Sequence, residues 1–77
     1  MKEFQIVQIR FCSKQNLLFI VTLGTITRMR VTKDTLEYDG HAERQNTTKN
    51  YKDVVINENR NELIVMETDN HMYTVVS

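Results

Sequence analysis

Residues 3–23, EFQIVQIRFCSKQNLLFIVTL, decide the fold. Apolar and polar side chains alternate from Val7 to Phe11, and Leu17 to Leu23 is rich in β-branched and aromatic residues; both patterns indicate strands rather than a helix. Between them Ser13-Lys14-Gln15-Asn16 has the composition of a turn. Closing that loop predicts Phe11 opposite Leu18, Ile9 opposite Ile20 and Val7 opposite Thr22.

Working outward, Gly24-Thr25 predicts a tight turn with glycine first, leading into a third strand over 26–32. That register sets Met29 beside Ile20 and Val31 beside Leu18. One face then gathers Val7, Ile9, Phe11, Leu18, Ile20, Met29 and Val31, and it is expected to be the buried one. The other face carries Arg10, Phe19 and Arg30 in one row and Gln8, Val21 and Arg28 in the next.

The C-terminal part reads as a second meander over 52–57, 62–68 and 71–76. A turn at Asn59-Arg60 pairs Ile56 with Leu63, Val55 with Ile64 and Val54 with Val65, and sets Lys52 against Glu67. A turn at Asp69-Asn70 pairs Met66 with Tyr73, Ile64 with Val75 and Leu63 with Val76. Both faces are largely apolar, so partial cover is expected on each side. In the middle, Asp39-Gly40 predicts a hairpin turn between Thr35–Tyr38 and His41–Glu43, with a short helix from Asp34 as the alternative. Residues 44–50 lack any apolar member and read as an exposed loop. The expected architecture is a single all-β domain: a small antiparallel sandwich or partly open barrel, built from two three-stranded meanders joined by a polar loop.

Composition narrows the function classes. The chain has 77 residues, 40% of them hydrophobic, and its formal net charge is zero, which argues against disorder and against a dedicated nucleic-acid binder with a basic excess. Six basic residues against one acidic give residues 1–33 a charge of +5, and four against nine give residues 34–77 a charge of −5. Either the two halves compensate each other or the surface is two-signed and steers a charged partner. Cys12 stands alone, so no intramolecular disulfide is expected. The longest apolar run, Leu17 to Leu23, is well short of the roughly 20 residues of a membrane helix. No apolar signal region opens the sequence, so a cytoplasmic setting without membrane contact is expected, and the sequon Asn46-Thr47-Thr48 reads as chance.

Two constellations stand out. Arg10, Arg28 and Arg30 around Phe19 could bind an anionic partner, because guanidinium groups grip phosphates and carboxylates and a ring on a sheet can stack a base. The ordinary reading is that the arginines shelter Phe19 or pair with Asp34, Glu37 or Glu67. The second constellation is the pair of β-prone terminal segments, marked by Phe4 and Ile6 at one end and Tyr73 and Val75 at the other. They could pair with each other and close a barrel, pair with a second copy, or accept a strand from another protein.

His41 and His71 both follow predicted turns, and neither suggests a metal site. No glycine-rich phosphate loop, CxxC or HExxH occurs, so neither an enzyme nor a cofactor is expected. The expected function is a regulatory or inhibitory module that occupies a surface on another protein. The alternatives are nucleic-acid or nucleotide binding through the arginines, and a structural homo-oligomer. The frequent Asn, Lys, Ile and Thr fit an AT-rich coding sequence of the phage or mobile-element kind.

Overall fold

A computed structural model describes residues 5–44, 49–60 and 62–76, with the side chain of Val76 left aside. Phe4 and most of the polar loop, residues 45–48, lie outside the described residues. The fold is all-β. One antiparallel sheet holds β1 (Ile6–Cys12), β2 (Leu17–Thr22), β3 (Thr25–Val31) and β4 (Leu36–Glu43) in chain order; the other holds β5 (Tyr51–Asn57), β6 (Glu62–Glu67) and β7 (Met72–Val76). The two sheets stack without closing into a barrel: among the described residues β1 pairs only with β2, and β7 only with β6.

Local chemistry sets the turns. Asn16 (φ 54°) and Asn70 (φ 67°) take the left-handed conformation that asparagine tolerates better than most residues. The β2–β3 and β3–β4 connections use one device twice, Thr22-Leu23-Gly24-Thr25 and Thr32-Lys33-Asp34-Thr35. In each, the first threonine hydroxyl accepts the N–H of the second at 3.0 Å, and the two hydroxyls hydrogen-bond each other. This hydroxyl-closed turn replaces the alternative helix from Asp34.

The β1–β2 register is the expected one for Ile9↔Ile20, Arg10↔Phe19 and Phe11↔Leu18. A bulge at Val7 breaks it, so Ile6 rather than Val7 faces Thr22, and Val7 packs against the core. The β2–β3 turn sits on Leu23-Gly24, one residue earlier than the glycine-first reading. That slides β3 by two positions, giving Leu18↔Met29 and Phe19↔Arg28. An even slide preserves the faces. Asp39-Gly40 is not a turn. It is a bulge opposite Arg28 inside a continuous β4, with Gly40 at φ 124°, and it gives the first sheet a fourth strand.

In the second sheet, Val54↔Val65, Val55↔Ile64 and Ile56↔Leu63 stand as read, while a bulge at Lys52 sets Tyr51 rather than Lys52 against Glu67. The β6–β7 loop spans three residues with Asn70 left-handed, not two, so Val65 faces Tyr73 and Leu63 faces Val75. This odd slide inverts β7 relative to the sequence reading. Tyr73 and Val75 turn inward, and Met72 turns out.

The core lies between the sheets: Cys12, Phe19, Val21, Ile26, Tyr51, Val54 and Val65 are buried, with Val7, Leu17, Ile56 and Leu63 packed on them. The buried face of the first sheet is therefore the one bearing Phe19. The face expected to be buried looks outward, with Ile9, Phe11, Leu36 and Tyr38 each more than half exposed. Two layers are all that 77 residues supply here, so no cover lies over either outer face among the described residues.

Candidate functional site

The arginine cluster resolves into ion pairs within the chain. Phe19 is 8% exposed and belongs to the core, so its ring offers little surface on which to stack a base. Arg10 reaches across to β5 and donates two hydrogen bonds to Asp53, Nε at 3.1 Å and Nη2 at 2.9 Å. Arg28 holds Asp39: its Nε lies 3.0 Å from a carboxylate oxygen, in ion-pair contact without hydrogen-bond alignment, and its Nη2 donates to the Asp39 carbonyl at 3.3 Å. Arg30 shares the same carboxylate at 3.6 Å. Arg10, Phe19 and Arg28 form a row, and Arg30 falls beside Leu17. The basic first half and acidic second half thus compensate each other in part through contacts that the two-sheet stack and the β4 bulge create.

Asp53 carries a testable consequence. Burial pushes its carboxyl up, but hydrogen bonds from Arg10 and from the Val54 N–H, together with the Arg10 and Lys52 charges, outweigh burial and hold it below the ordinary Asp value. A carboxyl depressed in the folded state contributes stability above its unfolded value, near about 3.9, and loses that contribution as pH falls through the folded value. Asp53→Asn should therefore flatten the loss of stability below about pH 4. Urea midpoints measured across that range check it, and an acid limb as steep as the parent's would contradict it.

Strand edges point elsewhere. A sheet edge exposes unpaired N–H and C=O groups, and proteins blunt edges with bulges and charges. Edge strand β1 has its bulge at Val7 and carries Arg10. Edge strand β4 has the Asp39-Gly40 bulge with Glu37 and Glu43, and edge strand β5 has a bulge at Lys52 followed by Asp53. By contrast β7, Met72-Tyr73-Thr74-Val75-Val76, pairs with β6 without irregularity and contains no charged residue. The Glu67 N–H donates to the His71 carbonyl, which fixes the ladder phase. By alternation, Tyr73 and Val75 bond to β6, while Met72, Thr74 and Val76 direct their N–H and C=O groups away from the sheet.

Beside that edge the sandwich is open. β5 lies close to β1 and β2, tied also by the Tyr51 N–H donating to the Leu23 carbonyl at 2.8 Å. Toward β4 and β7 the sheets leave cavities. One, about 500 Å³, is lined by Ala42, Glu43, Lys49, Tyr51, Glu67, His71, Tyr73 and Val75. Two smaller ones continue it past Phe19, Arg28 and Leu63.

The Tyr51 hydroxyl is pushed up to about 12, first by burial and then by its hydrogen bond with Tyr73 and the nearby Glu67 and Glu43 charges, so it stays protonated. Of the edge residues singled out from sequence, Tyr73 and Val75 line this opening, and Ile6 sits exposed on the bulged β1. Glu67 and Tyr51 were missed. Only the β6–β7 loop length, signalled by the left-handed Asn70, could have revealed the inverted β7 that brings Tyr73 to them.

Cys12 is buried, and its Sγ lies 3.4 Å from Glu58 Oε1. Among the described residues no three His, Cys, Asp or Glu side chains gather as a metal site, and no helix is long and apolar enough to cross a membrane. Comparison with protein-family models, curated proteins and solved structures finds no match for this chain.

Proposed function

We propose that this chain is a non-enzymatic binding module of the cytoplasm, regulatory or inhibitory in effect, that captures another protein by taking an extended segment of it along β7. The observation that carries this reading is the contrast among the edges: bulges and charges blunt β1, β4 and β5, while β7 is regular, uncharged and beside an open cleft. Strand addition draws affinity from main-chain hydrogen bonds and selectivity from pockets that receive alternate side chains, and both elements adjoin here. Nucleic-acid binding through Arg10, Phe19, Arg28 and Arg30 has less support, since the ring is buried and the cations already have carboxylate partners.

The test is NMR titration with a panel of short β-prone peptides. Shifts centred on Met72 to Val75, with Tyr51 and Leu63 following, are expected. Shifts confined to the outward residues Ile9, Phe11 and Tyr38 would contradict the assignment to β7.

A second reading, the homo-oligomer, rests on the outward face of the first sheet. Ile9, Phe11, Leu18, Ile20, Met29, Val31, Leu36 and Tyr38 make a continuous apolar surface, and a second copy laid on it would oppose no like charges among these residues. Sedimentation at rising concentration separates the two: a dimer dispersed by Phe11→Lys supports this second reading.

A further inference from the structure

The cleft beside β7 holds a carboxylate without a partner. Glu67 is 9% exposed and lines the 500 Å³ cavity, on the same inward face of β6 as Val65. Among the described residues its carboxylate accepts no hydrogen bond and forms no ion pair. The neighbouring cation is engaged elsewhere, since Lys49 pairs with Asp69 at 3.2 Å. The His71 ring leans on Tyr73 with centroids 6.1 Å apart. A carboxylate oxygen that is not engaged within the chain and opens onto a cavity can accept a hydrogen bond from an incoming cation, and hydrogen bonds to charged partners are stronger than neutral ones.

We infer that the segment added to β7 places a lysine or arginine side chain in this cavity, where its cationic head pairs with Glu67. This inference rests on the strand-addition reading. Strands lie about 4.8 Å apart, so a strand beyond β7 runs roughly 10 Å from the β6 backbone. Glu67 reaches into that gap from one side, and the four-carbon stem of a lysine or the longer arginine side chain reaches in from the other.

The surroundings suit a cation. Tyr51 and Tyr73 offer hydroxyl oxygens and ring faces, and Glu43 adds a second negative charge at the rim. The cavity lacks the three-ligand cluster of a metal site among the described residues. An ammonium or guanidinium head supplies several donors at once, so it can satisfy the carboxylate and a tyrosine hydroxyl together. The partner class is thus an extended protein segment with alternating apolar residues and one basic residue on the inward side.

Paired synthetic peptides test this: one alternating Val/Thr sequence with lysine at an inward position, and its twin with glutamine there. The lysine peptide is expected to bind the parent protein at least about tenfold more tightly, the range of a charge-assisted hydrogen bond. Glu67→Gln, which preserves the side-chain shape, should reduce that preference to near one while the glutamine peptide still binds. Equal binding of the two peptides to the parent protein would overturn the Glu67 assignment and leave strand addition standing. No binding of either peptide, to parent or variant, would overturn both. The parent comparison alone decides if Glu67→Gln disturbs folding.

Discussion

Phe19→Ala is expected to leave most of the protein unfolded at room temperature. Phe19 is buried among Val21, Ile26 and the residues of the second sheet, and truncating a core phenylalanine costs about 3–5 kcal/mol. A single core in a domain this small rarely supplies more than about 3–5 kcal/mol in total, and no disulfide adds to it. The informative control is Phe11→Ala. Phe11 is 52% exposed on the outward face, so its truncation should cost about 1 kcal/mol or less. Urea unfolding followed by far-UV circular dichroism compares the two. Similar losses for both variants, or a larger loss for Phe11→Ala, would mean that the outward face is the covered one.

Thr74→Pro is expected to abolish peptide binding while leaving the fold intact. The Thr74 N–H points away from β6, so proline there removes no ladder bond, and an edge strand tolerates proline in that phase. What it removes is a donor to an incoming strand, and the ring also stands in that strand's path. Stability should change by less than about 1 kcal/mol, whereas affinity for β-prone peptides should fall by more than about tenfold. Tyr73→Pro is the counterpart: it removes a bond to β6 and should destabilise the sheet by about 3 kcal/mol. If Thr74→Pro binds peptides as the parent does, main-chain pairing at β7 is not the mode of recognition.

Much of the fold was legible because turn spacing and alternation speak to register. The Ser13–Asn16 loop gave the Ile9–Ile20 and Phe11–Leu18 pairs directly, failing only at Val7–Thr22 where β1 bulges, and the misplaced Gly24 turn was harmless, since it slid β3 by an even number. The β6–β7 loop was not harmless: one additional loop residue inverted β7 and hid the grouping of Tyr73 with Tyr51 and Glu67. Asp39-Gly40 has the composition of a hairpin turn, yet its flanking strand continues and the pair becomes a bulge that presents Asp39 to two arginines.

The identity of the core face was not legible from one sheet at all. Counting apolar side chains favoured the face of Ile9, Phe11 and Met29. The decision belongs to the second sheet, which packs over Phe19 and Val21 and supplies Asp53 to receive Arg10. A basic residue at the margin of a core can bury its stem and leave its head with a partner at the surface, so arginines beside Phe19 did not mark that face as exposed.

The central claim is that β7 is an unpaired edge in the free chain. Amide hydrogen exchange of the dilute protein, resolved by residue, tests it most directly. Slow exchange at Tyr73 and Val75 with fast exchange at Met72 and Thr74 is the predicted pattern, because only the first two donate into the ladder with β6. Slow exchange at all four positions would mean that the edge is already occupied, and the proposed docking of a partner strand would have nowhere to occur.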